Sequence, residues 1–87
     1  MNFVSNRLVS HETKNVFEGV QHVYTFANGY GASVVKHKFS YGGNKGRWEL
    51  ALMKDGELFY NGDFPDVVGH LLDPDVDRWL KHISLYE

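Results

Sequence analysis

Five histidines, a scatter of serines and a run of aspartates are the side chains of this chain that could do chemistry. The histidines are His11, His22, His37, His70 and His82. No two of them have the i, i+4 spacing of a helical zinc pair, and "HETK" and "HLLD" depart from His-Glu-x-x-His. His22 and His37 fall on one face of a predicted hairpin, but two imidazoles without a third ligand make a poor metal site. Ser5, Ser10, Ser33, Ser40 and Ser84 all lie outside a Gly-x-Ser-x-Gly nucleophile turn. Asp63, Asp66, Asp73, Asp75 and Asp77 cluster where helices are expected to begin, and capping accounts for them. No nucleophile, base and oxyanion donor converge, so the expectation is a protein that is not an enzyme and uses no cofactor or metal.

Two glycine-rich stretches raise the question of phosphate binding. In "NGYGASVV" the third glycine of a dinucleotide fingerprint is replaced by Val34. The residues that follow are β-branched, so no helix N-terminus is expected to receive a pyrophosphate. In "SYGGNKGRW", Lys45 precedes Gly46 where a Walker loop has Ser or Thr. Both stretches read as bends. The second also offers a ring, an amide and two cations in Tyr41, Asn44, Lys45 and Arg47, the makings of a recognition loop.

Composition narrows the class further. Eighty-seven residues make one domain, 1–87, with residues 1–18 assigned only as an edge strand or an arm. The chain has no cysteine, which excludes disulfides and thiolate chemistry. The first ten residues lack the apolar run of a leader, and no stretch is long enough to span a membrane. A net charge of -2 has the wrong sign for binding nucleic acid by bulk charge. Tyr24, Tyr30 and Tyr60 beside Lys36 and Arg47 keep a sequence-tolerant nucleic-acid binder as the alternative.

The elements that must hold these residues are legible from period and turn chemistry. "VQHVYTF" and "GASVVKH" flank Asn28-Gly29, and "RWELALMK" and "ELFY" flank Asp55-Gly56, two hairpin signals. A two-residue Asn28-Gly29 loop sets Phe26 opposite Gly31 and Tyr24 opposite Ser33. The second hairpin sets Lys54 opposite Glu57 and puts Trp48, Leu50, Leu52 and Phe59 on the core face. Arg47, Glu49, Ala51, Met53, Leu58 and Tyr60 share the other face. "DFPDVVGHLL" predicts one helix, with Asp63 capping and Pro65 in its first turn. "PDVDRWLKHISLY" predicts a second, with Asp73 capping and Val76, Trp79, Leu80 and Ile83 as its stripe. The fold expected is α+β: an antiparallel sheet of four or five strands, built from two hairpins and covered on one face by two C-terminal helices.

"NGYGASVV", "FSYGG", "GRWELALMKDGEL" and "DVVGHLLDPDVDRWLKHI" together resemble a group of small uncharacterised proteins of tailed bacteriophages. The match runs from Asn28 to Ile83. The resemblance implies the cytoplasm of an infected bacterium and an accessory protein that acts by binding a host or phage protein. Tyr41, Asn44, Lys45, Arg47, Met53, Leu58 and Tyr60 are the candidate binding residues. A homodimer formed through edge strands is a further alternative.

Overall fold

The computed structural model of the protein describes residues 5–60 and 67–86. Six antiparallel strands form one sheet: β1 (Leu8–Val16), β2 (Gly19–Phe26), β3 (Tyr30–Lys36), β4 (Trp48–Lys54), β5 (Glu57–Leu58) and β6 (Val68–Leu71). Strands β1 to β4 are neighbours in sequence order, and β5 and β6 both pair with β4. Among the described residues a single helix, α1 (Asp73–Ser84), packs on β3 and β4.

The core lies between α1 and one face of the sheet. Tyr24, Phe26, Ala32, Val34, Trp48, Leu50 and Leu52 enter it from the strands, and Val76, Leu80 and Ile83 enter it from the helix. The i, i+4, i+7 spacing of those three residues carries one apolar stripe into the sheet, as the sequence predicts. Burying each such side chain contributes about 1.5–3 kcal/mol. Trp79 sits at the margin of that stripe, half-buried. Among the described residues no helix covers the opposite face, where Gln21 donates to Ser33 Oγ across the strands at 2.9 Å.

The Asp55-Gly56 hairpin forms as expected. Both turn residues have positive φ, 53° and 85°, and Lys54 stands opposite Glu57. The first hairpin differs by one residue. Its register places Tyr24 opposite Ala32 and Thr25 opposite Gly31, so Ala27, Asn28 and Gly29 form a three-residue connection. Only Gly29 takes positive φ, while Asn28 Oδ1 accepts the Tyr30 N–H at 3.0 Å. A type I turn closed by a left-handed glycine replaces the expected type I′ turn. The slip reverses the facing of the two strands, which aligns Tyr24 and Phe26 with Ala32 and Val34 on the core side.

Residues 68–71 of the expected first C-terminal helix form β6 instead, so among the described residues one helix covers the sheet, not two. Val67, Val68, Leu71 and Leu72 fit helical spacing, but Val68 pairs with Leu50 and Leu71 with Trp48. His70 has a left-handed φ of 57°, which a helix cannot contain. Gly69 lies flat under Tyr41, whose Cβ would be 2.7 Å from any Cβ at that position. Tertiary pairing overrides the local pattern there. The capping assigned to Asp63 and the first-turn place assigned to Pro65 lie outside the described residues.

Asp73 does not cap α1. Leu72 is the extended residue before the helix, and its N–H donates to the Asp75 carboxylate at 3.1 Å. The Asp73 carboxylate instead accepts the Trp48 indole N–H at 2.7 Å, tying the helix start to the sheet. That bond holds Asp73 below its ordinary carboxylate value. At the N-terminal end, "HETKNV" belongs to β1, which forms one edge of the sheet.

Candidate functional site

Among the described residues, chemistry-bearing side chains meet in two places. The first lies on the core face beside β1. The rings of His11 and His22 approach with Nε2 and Nδ1 2.9 Å apart, and Thr13 Oγ1 is 3.2 Å from the same His22 nitrogen. His11 stacks on Tyr24, and Lys36 lies 4.3 Å over the Trp48 ring. His22 therefore meets His11, not His37, because the hairpin register sends residues 22 and 37 to opposite faces. Among the described residues, no three His, Cys, Asp or Glu side chains gather as metal ligands. Burial, then the Asp77 carboxylate, pushes the Tyr24 hydroxyl above its ordinary value, so the ring stays neutral. This cluster packs and hydrogen-bonds, and its reactive consequences are confined to titration.

Burial, followed by the His11 ring, pushes His22 below its ordinary value of 6.5. A folded-state value below the unfolded one means that the unfolded chain takes up the proton first. The His22 contribution is thus complete above about pH 6.5 and is lost as pH falls through the window below it. The melting temperature of the wild type is expected to fall between about pH 7 and pH 5, and His22→Gln flattens that slope. Thermal scans across the range check it, and an equal slope in the variant would assign the effect elsewhere.

The second place is the end of the sheet formed by the β1–β2 turn and the β3–β4 loop. Phe17 and Glu18 make a two-residue turn with φ of 45° and 64°, between the paired residues Val16 and Gly19. This is a type I′ geometry, which Asn-Gly fills without strain and a phenylalanine does not. Gly19 then passes so close to β3 that a Cβ would sit 2.0 Å from the Lys36 carbonyl oxygen. The Phe17 ring meets the Phe39 ring edge-on at 5.3 Å and His37 at 5.2 Å. Phe17 is 61% exposed and Phe39 69% exposed. Lys38 reaches both the Phe39 ring and the Glu18 carboxylate. A shallow depression beside them is lined by Glu18, Lys36, His37, Lys38 and Asn44.

The candidates from the sequence divide between the two ends of β4. Tyr41, Asn44, Lys45 and Arg47 lie in the β3–β4 loop, with Asn44 and Lys45 in a short 3-10 turn, Gly43–Lys45. Tyr41 is held by its backbone, donating its N–H to Glu49 Oε2 at 2.6 Å and accepting from His70 at 3.3 Å, while its ring stays exposed. Met53 and Leu58 pair across the β4–β5 turn, with exposed Tyr60 just beyond. Six residues of extended chain, about 20 Å, separate Arg47 from Met53. The loop and the hairpin are thus two surfaces. The sequence reading missed Phe17 and Phe39, because "VFEG" lacks the Asn-Gly or Asp-Gly of a recognisable tight turn.

Compared with known families, curated proteins and solved structures, the chain matches none. Among the described residues, no helix is long and apolar enough to cross a membrane.

Replacing Phe17 with Asn and Glu18 with Gly suits the turn geometry. The double variant is expected to gain about 1 kcal/mol by relieving left-handed strain, net of the lost ring contact. A urea titration measures it, and a loss of stability would show that the phenylalanine supports the fold.

Proposed function

We propose that the protein is a small non-enzymatic binding module that docks on another protein through the Phe17/Phe39 end of its sheet. The observation that carries the reading is the strained turn. Two non-glycine residues are held in left-handed backbone, and together they present an aromatic ring to solvent. Fold stability alone favours neither feature, and such strain is concentrated at functional surfaces. Lys38 lies over the Phe39 ring and reaches the Glu18 carboxylate beside it, so the complementary surface is an apolar recess with a polar rim. Tyr41, Asn44 and Arg47 extend the contact along the loop, while Met53, Leu58 and Tyr60 belong to a separate surface. The resemblance to small tailed-phage proteins supports a host or phage protein as the partner, met in the bacterial cytoplasm.

Photo-crosslinking tests this. A photoreactive residue at position 39 is expected to capture a discrete protein from bacterial lysate. The same group at Lys81, on the exposed side of α1, is expected to capture none. Equal products from both positions would overturn the reading. Salt-sensitive binding of oligonucleotides at the same rings would transfer it to the nucleic-acid alternative.

A further inference from the structure

The two edges of the sheet are built differently. One edge is made of two short strands, β5 and β6, the second containing the left-handed His70, and such edges resist pairing. The other edge is β1, nine residues long, exposed along nearly its whole length and without proline. Its only irregularity lies between Leu8 and Ser10, which leaves Ser10 to Val16 regular.

The backbone direction along β1 follows from its partner. Ala27 donates its N–H to the Arg7 carbonyl, and the two-residue turn closes on Val16 and Gly19. A tight turn closes on a hydrogen-bonded pair, and such pairs alternate along the ladder. Ser10, Glu12, Lys14 and Val16 therefore direct their N–H and C=O groups at β2. His11, Thr13 and Asn15 direct theirs outward, away from the sheet.

We propose that β1 pairs with β1 of a second copy, antiparallel about a two-fold axis at Thr13, so that two sheets join into one. Two-fold pairing that keeps both helices on one face allows centres at successive residues, and charge selects among them. A centre at Glu12 sets glutamate against glutamate, and a centre at Lys14 sets lysine against lysine. A centre at Thr13 sets Glu12 against Lys14 twice, and like charges opposite one another oppose pairing. The same centre makes Thr13 with Thr13, and His11 with Asn15, the hydrogen-bonded pairs, using the outward groups. Backbone supply thus allows each centre in this series, and the charge pattern selects the one at Thr13. This surface is separate from the Phe17/Phe39 end, so either proposal can fail alone.

Sedimentation across a range of concentrations tests the pairing. The wild type is expected to show a monomer–dimer equilibrium. Thr13→Pro removes an outward N–H that β2 does not use, and is expected to be monomeric with an unchanged circular dichroism spectrum. Glu12→Lys and Lys14→Glu each place two like-charge pairs across the axis, weakening self-association about tenfold or more. Mixed together, those two variants form opposite-charge pairs and are expected to associate with each other. A wild type that stays monomeric at every concentration overturns the proposal. So does a mixture that associates no better than either variant alone.

Discussion

Asn28→Asp is expected to lose about 3 kcal/mol of stability, a large share of what a domain this size has. The Asn28 amide nitrogen donates to the carbonyl oxygens of Ile83 at 3.0 Å and Tyr86 at 2.9 Å. One side chain in the first hairpin turn thus ties that turn to the C-terminal end of α1, as a second donor to the Ile83 carbonyl, which also accepts the Tyr86 N–H at 3.1 Å. Aspartate keeps the bond to the Tyr30 N–H but loses both donations. It also sets a negative charge at the negative end of the helix dipole. Two bonds at about 1 kcal/mol each, and about 0.5–1 kcal/mol for a carboxylate set against carbonyl oxygens at the negative end of the dipole, add to the stated loss. Urea titrations of wild type, Asn28→Asp and Asn28→Ala measure it. Aspartate no worse than alanine would remove the charge from the account.

Leu80→Ala is expected to cost about 3–4 kcal/mol, the largest effect of any substitution considered. Leu80 is fully buried in the middle of the helical stripe, in the cluster that includes Val34, Leu50 and Leu52. Removing its branched end leaves a cavity that α1 can close only by leaving its ties at Trp48 and Asn28. Those ties stand at opposite ends of the helix and hold it in place. The melting temperature should drop by roughly 15 °C or more, since each kcal/mol shifts a domain of this size by about 4–8 °C. Leu72→Ala, at an exposed position next to the helix, is expected to change stability by less than about 0.5 kcal/mol. Similar losses for both would mean that α1 is not docked as described.

What could be read without coordinates was whatever local chemistry decides. The Asp55-Gly56 turn, the core face of β4 and the stripe of α1 each follow from a few adjacent residues. What could not be read was decided by distant partners. The Asn28-Gly29 turn gains a residue because Asn28 also answers to α1, 55 residues away in sequence. Residues 67–72 satisfy helical and extended spacing alike, and only the free side of β4 chooses between them. Asp73 leaves the cap for an indole that no local pattern links to it. For the site, the β3–β4 loop was visible as a glycine-rich stretch. Phe17 was not, because it occupies a turn whose geometry its own residue type opposes. That conflict between residue and backbone is what marks the position, and it exists only once the backbone is known.

The same conflict gives the most direct test of the account. Phe17→Asn/Glu18→Gly is measured twice, for stability in urea and for capture by crosslinking from position 39. If the turn is kept strained for the sake of its ring, the variant is more stable than wild type and captures no partner. A variant that captures as well as wild type, or that is less stable, contradicts the account.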